Sequence, residues 1–103
     1  MSAVRYEILL PLKYNDGTYV EYEKIQLTKR ELIDRFGAIT IEPQFFGWWV
    51  YEEKEYEDEL LRVVIDTQDT QKTEDFFKSY KEILKERFKQ IEIWITAYPI
   101  RII

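Results

Sequence analysis

The chain has 103 residues, of which 46% are hydrophobic and 17% aromatic, and its net charge is -5. This composition excludes a disordered chain and predicts a single domain, 1-103, whose core needs no disulfide. The order of the elements along the chain makes it an α+β domain. The acidic charge makes nucleic acid an unlikely partner, because phosphate backbones would be repelled. The sequence contains no cysteine or histidine, which excludes a thiolate metal site and the usual general base near neutral pH.

The first apolar stretch, Met1–Leu12, contains Glu7 and Pro11. It lacks the uninterrupted apolar run of a signal peptide, and no segment reaches the length of a membrane span. We therefore expect a cytoplasmic protein with no membrane partner. No catalytic or cofactor motif is present, which leaves enzyme activity open but favours a non-enzymatic protein without a cofactor or a resident metal.

The first third of the chain predicts a strand and a short helix. Apolar and polar residues alternate over Val4–Leu12, which predicts a strand with one buried face. Thr28 is followed three residues later by Glu31, a spacing typical of a helix capping box. The predicted helix has about nine residues and ends at Phe36, before a left-handed Gly37.

The middle of the chain predicts two strands and a hairpin. Ala38–Glu42 is the predicted second strand, interrupted by Pro43. Trp48–Glu52 resumes the extended pattern, and Lys54-Glu55 is the expected hairpin tip. The third strand is Glu59–Asp66. Three of its residues are predicted to face the core and three the opposite side: Leu61, Val63 and Ile65 inward, and Leu60, Arg62 and Val64 outward.

A long amphipathic helix is predicted next, with Thr70 or Thr73 as its N-cap. Its apolar residues recur at spacings of three and four on one stripe: Phe76, Phe77, Tyr80, Ile83, Leu84 and Phe88. The period then changes from 3.6 to 2, so Ile91–Tyr98 is the predicted last strand, with Ile91 facing the helices and Pro99 ending it.

The element order is therefore strand, helix, strand, strand, helix, strand. This order predicts the ferredoxin-like βαββαβ fold, an antiparallel sheet with two helices on one face. In that fold the last strand lies at an edge of the sheet, next to the first strand.

Several local features resemble one family. They are Thr28 before a short helix, Phe36-Gly37 closing it, Gly47-Trp48 after a loop, and the charged run Lys85–Gln90 before the last strand. On these features the chain resembles a family of small bacterial proteins whose domain has no assigned function. The resemblance implies the ferredoxin-like fold and brings no activity with it.

Two charged clusters have ordinary explanations. The first surrounds the hairpin tip and consists of Glu52, Glu53, Glu55, Glu57, Asp58 and Glu59. It is compatible with a Mg²⁺ or Ca²⁺ site or with a basic partner, but its spacing matches no known cation-binding loop. This favours a solvated turn whose charges keep the strand edges from pairing with other chains. The second, Lys78, Lys81, Lys85 and Lys89, is interleaved with Glu82 and Glu86, which indicates a solvent-facing helix surface.

The side of the sheet without helices is the main candidate surface. It is predicted to carry the ligand or interface candidates Arg5, Glu7, Leu9, Arg62, Val64, Trp94 and Tyr98, and Trp49 is a further candidate for ligand stacking. An exposed patch of this kind is rare on a monomer. Contact with a partner or a second copy is favoured over cover by residues 18–25 or by the C-terminal tail.

Three functions remain open at this point. The first is a non-enzymatic interaction module that forms a homodimer through its sheet, with Trp94 as anchor. The second is a small-molecule-binding or weakly catalytic domain of the dimeric α+β barrel kind, with Tyr6, Glu7, Arg62 and Tyr98 as polar candidates. The third is an RNA-binding module, which the acidic charge opposes.

Overall fold

The computed structural model describes residues 2–103, apart from the side chains of residues 43 and 44. Its six elements are β1 (Ala3–Pro11), α1 (Tyr22–Phe36), β2 (Thr40–Tyr51), β3 (Lys54–Gln68), α2 (Gln71–Arg87) and β4 (Ile95–Ile100). The strands form one antiparallel sheet in the order β2-β3-β1-β4. The predicted α+β ferredoxin-like fold is therefore confirmed. Within residues 2–103, neither helix combines the length and apolarity needed to span a membrane.

The core lies between the sheet and the two helices. Every second residue of β1 is buried, beginning at Val4, because successive side chains of a strand point to opposite faces. The ring of Tyr6 stacks on Phe77 of α2, with 3.9 Å between the ring centroids. Leu32 of α1 and Leu84 of α2 are fully buried in the same cluster. Both helices therefore cover one face of the sheet and leave the other open.

Helix α1 begins six residues before the predicted cap. Thr28 is a fully buried residue inside the helix, and its hydroxyl donates to the carbonyl oxygen of Lys24 at 2.9 Å. The capping-box prediction is therefore wrong. A threonine followed by Glu31 fits a helix interior equally well when both side chains have tertiary partners. The end of the helix is confirmed, since Gly37 follows Phe36 with a φ of 84°.

Strands β2 and β3 form one long hairpin. The predicted strand pieces on either side of Pro43 belong to a single strand, whose register shifts between Glu42 and Phe45. The turn lies at Glu52 and Glu53, with φ values of 50° and 64°, and not at Lys54-Glu55. Glutamate has no marked preference for positive φ, so the sequence gives no sign of this turn.

Helix α2 agrees with its predicted cap, because the hydroxyl of Thr70 accepts the N–H of Thr73 at 3.2 Å. Its buried residues are Thr73, Phe77, Tyr80 and Leu84, followed by Phe88 at the C-cap. Ile83, however, is 48% exposed, so the predicted apolar stripe is too wide.

The last strand, β4, begins four residues later than predicted. It includes Pro99, which lies opposite Val4. Proline is tolerated there because β4 is an edge strand with one unpaired side. Ile93 is buried as predicted, although it precedes the strand, whereas Ile91 is 45% exposed. The predicted edge position beside β1 is confirmed.

Candidate functional site

The open face of the sheet carries the predicted candidates. Arg5, Glu7 and Leu9 lie on the open side of β1, because the alternate residues of that strand are buried under the helices. In the register of the sheet, Leu9 lies opposite Arg62, Glu7 opposite Val64, and Arg5 opposite Tyr98 of β4. Trp94 immediately precedes β4, and its carbonyl oxygen accepts the N–H of Leu9 at 3.0 Å. Their proposed role in binding stays a prediction.

The centre of this face is a polar network. Arg62 lies 3.0 Å from Glu7 and 2.8 Å from Glu42, and the hydroxyl of Tyr98 donates to Glu7. The hydrogen bond with Glu7 raises the pKa of Tyr98. Arg62 therefore has its counter-ions within the chain, so another surface could cover this arginine without leaving it unpaired.

Toward one end of the two central strands, the network continues with Arg5 of β1. Its guanidinium donates two hydrogen bonds to the carboxylate of Asp66, at 2.7 and 2.9 Å. This planar, bidentate geometry suits the arginine fork. The hydrogen bonds from Arg5 lower the pKa of Asp66 below its ordinary value.

The other end of the face is apolar and surrounds a cavity of about 370 Å³. The residues around it come from β1, from the β2–β3 hairpin and from the segment between α2 and β4: Leu9, Pro11, Gly47, Trp48, Trp49, Asp58, Leu60, Gln90, Glu92, Ile93 and Trp94. Gly47 allows a close approach, because a Cβ atom there would lie 3.1 Å from Leu60. Trp94 is 61% exposed at this end of the face.

One wall of the cavity is held in place by Trp49. Its ring stacks on Tyr56, with centroids 4.5 Å apart, and its indole N–H donates to the carboxylate of Asp58 at 2.6 Å. Removal from water raises the pKa of Asp58 above its ordinary value. The sequence interpretation treated Asp58 only as a member of the acidic cluster. Its period-2 spacing from Leu60 and Arg62 could have placed it on the open face.

The hairpin exposes a second apolar surface that the sequence interpretation missed. Phe46, Trp48 and Val50 alternate along β2 and are 52%, 62% and 69% exposed. They share the side of the hairpin opposite to Trp49, because successive residues point to opposite faces. Glutamates of β3 lie directly across from all three: Glu59, Glu57 and Glu55.

The acidic cluster is divided between surfaces. Asp58 lies on the open face, while Glu57 and Glu59 lie on the other side of the hairpin, and Glu59 pairs with Lys13 at 2.9 Å. Among the described residues, no group of three or more acidic side chains is placed so that it could hold a metal ion.

Two sequence interpretations need correction. Tyr6 is 5% exposed in the core, on the opposite side of the sheet from Glu7 and Arg62, so it cannot share a pocket with them. Residues 18–25 do not cover the open face. Val20 lies in the core on the helix side of the sheet, and Ile25 of α1 packs against the same core. Ile103 of the C-terminal tail is fully exposed.

No protein-family model matches the sequence, and no curated protein matches it. The resemblance to a small bacterial family of unassigned function is therefore unconfirmed. Solved structures do match in fold. CutA1 from Oryza sativa is 16% identical, with a TM-score of 0.66, over 98% of this chain and 82% of that chain.

Two further solved structures share the fold. The divalent cation tolerance protein CutA1 from Thermus thermophilus is 18% identical, with a TM-score of 0.65, over 97% of this chain and 85% of that one. A phage SAM lyase, solved with S-methyl-5'-thioadenosine, is 14% identical, with a TM-score of 0.62, over 97% of this chain and 90% of that one. At these identities the likeness extends to the fold alone.

Proposed function

We propose that this protein is a non-enzymatic interaction module that forms a homodimer through the open face of its sheet, with Trp94 as the anchor. The observation that carries the proposal is the 61% exposure of Trp94 at the apolar end of the open face. A tryptophan ring offers roughly 150–250 Å² of apolar surface, and burying it against a partner is favourable.

The polar centre of the face is compatible with this arrangement. Arg62 and Glu7 already pair with each other, so a second copy can cover them without separating the charges. Two copies related by a two-fold axis would present the same surface to each other. A standard interface buries about 800 Å² per partner, with an apolar anchor near its centre and a polar rim.

The test compares two tryptophan variants of matched exposure. The wild-type protein is expected to sediment as a dimer at micromolar concentration, and Trp94→Glu as a folded monomer, because a charge at the anchor resists burial. Trp48→Glu is the matched control. Trp48 is 62% exposed and borders the cavity, but its ring belongs to the side of the hairpin opposite to Trp49, so this variant is expected to stay dimeric.

Circular dichroism should show that both variants keep the wild-type secondary structure. A wild-type mass of one chain throughout the micromolar range would overturn the proposal. Dissociation of Trp48→Glu together with an intact Trp94→Glu dimer would also overturn it, because the association surface would then be the hairpin and not the open face of the sheet.

A further inference from the structure

The cavity at the apolar end of the open face combines aromatic walls with acidic side chains. Trp49 and Trp94 contribute to its lining, and so do the acidic residues Asp58 and Glu92. No lysine or arginine is among the described residues that line it. At about 370 Å³ the cavity lies near the lower end of the range for small-molecule sites.

The two acidic residues differ in their partners. Glu92 forms an ion pair with Lys81 at 3.0 Å, and its carboxylate also accepts the N–H of Ile93. Asp58, in contrast, accepts only the indole N–H of Trp49, and no described lysine or arginine lies within ion-pair distance of it. An added cation stabilises a partly buried carboxylate that has one neutral donor more strongly than it stabilises a carboxylate that is already in an ion pair.

The wall beside Asp58 is preorganised. The ring of Trp49 is fixed by its stacking on Tyr56 and by its hydrogen bond to Asp58, so little ordering is needed when a ligand arrives. Indole rings also attract cations through their negative faces, by about 0.5–1 kcal/mol at exposed sites and more when water is excluded.

We propose that this cavity binds a small organic ammonium ion, which donates an N–H to Asp58 and packs its apolar body against Trp49 and Trp94. A metal ion would not use the aromatic walls, and an anion would be repelled by the carboxylates. The proposal goes beyond self-association. Because Trp94 is also the proposed anchor of the dimer, ligand binding and dimer formation would compete for its ring.

The probes are three compounds of similar shape and different charge: 2-phenylethylammonium, the neutral 2-phenylethanol and the anionic 3-phenylpropionate. Binding at pH 7 is measured by calorimetry and by the NMR shift of the Trp49 indole N–H, which lies at the site. The ammonium ion is expected to bind at least roughly tenfold more tightly than the alcohol, because both can donate a hydrogen bond to the carboxylate but only the ion adds an attraction between opposite charges. The anion is expected to bind most weakly.

Asp58→Asn keeps the shape of the side chain and an acceptor for Trp49 but removes the charge. It is expected to weaken ammonium binding roughly tenfold, while the control Glu92→Gln changes it less than about twofold, since the charge of Glu92 is already paired. Equal affinity for the ammonium ion and the alcohol would overturn the inference, as would an Asp58→Asn variant that binds like the wild type. Light scattering should show an unchanged mass for Asp58→Asn, and a one-chain wild-type mass would refute the dimer without affecting this titration.

Discussion

The contact between the two helices gives the sharpest stability prediction. Arg87 of α2 donates to both carboxylate oxygens of Glu31 in α1, at 2.7 and 3.0 Å, and also to the hydroxyl of Thr28 at 2.8 Å. The hydroxyl of Tyr80 donates to Glu31 at 2.8 Å. Glu31→Gln would keep the size of the side chain and leave the arginine, whose side chain is only 12% exposed, without its counter-ion.

Breaking a fully buried pair by removing one partner costs about 3–5 kcal/mol. The side chain of Glu31 is 37% exposed, so water replaces part of the lost interaction, and we expect a loss of about 2 kcal/mol in the free energy of unfolding at pH 7. The matched control is Asp34→Asn in the same helix. Asp34 pairs with Arg30 at 3.6 Å on the surface, and its loss should cost less than about 0.5 kcal/mol.

The same pair predicts a dependence on pH. The hydrogen bonds from Arg87 lower the pKa of Glu31 below its ordinary value of 4.5, so the folded state binds this proton less tightly than the unfolded state does. The stabilisation is therefore fully present above pH 4.5 and is lost as the pH falls through the lowered pKa of the folded state.

Urea unfolding followed by circular dichroism would measure both effects. The difference between wild type and Glu31→Gln should be largest at pH 7 and should shrink toward pH 3. A difference that is the same at both pH values, or one no larger than that of Asp34→Asn, would show that the charge pair does not stabilise the packing of the helices.

Two further pairs of substitutions test the same core by urea unfolding. Phe88→Ala should lower the free energy of unfolding by about 3–5 kcal/mol, because the ring at the C-cap of α2 is fully buried. Ile83→Ala, at a position of α2 that is 48% exposed, should lower it by less than about 1 kcal/mol. Similar losses for the two variants would mean that the buried face of the helix is misassigned. Thr28→Val removes a buried hydroxyl that accepts a hydrogen bond from Arg87, and it should lower the free energy of unfolding by about 1–3 kcal/mol. Thr28→Ser keeps the hydroxyl and should retain most of the stability. A valine variant as stable as the wild type would refute the role of the hydroxyl.

The parts of the fold that the sequence predicts well depend on local periodicity. In β1 and in the second half of β3, burial alternates with a period of two, and the outward positions of Arg62 and Val64 follow directly. The buried residues of α2 follow the helical period from Phe77 to Leu84. These patterns can be read because each reports burial on a single side of a single element.

The start of α1 could not be predicted in the same way. The three-residue spacing of Thr28 and Glu31 is also the spacing of a capping box, and their true partner, Arg87, is more than fifty residues away in the sequence. Nothing in the local pattern separates the two cases. Only the packing of α1 on α2 decides between a cap and a buried contact.

The candidate site depends on one irregularity in the sheet. Glu42 lies opposite Arg62 on the open face, and regular alternation from Glu42 would bring Trp48 to that face and leave Trp49 on the other side. The register shift between Glu42 and Phe45 reverses this parity. It is therefore the bulge, and not the alternation of the sequence, that brings Trp49 to the face that carries Leu60.

The same reversal explains why two adjacent tryptophans can be tested separately. Trp49 contacts Asp58 in the wall of the cavity, whereas the ring of Trp48 belongs to the other side of the hairpin, across from Glu57. A charge introduced at Trp48 is therefore placed on the side of the hairpin opposite to Trp49 and to the polar centre of the open face. If the open face is the one that binds, substitutions at these neighbouring positions must have different effects on association, although both side chains are indoles on one strand.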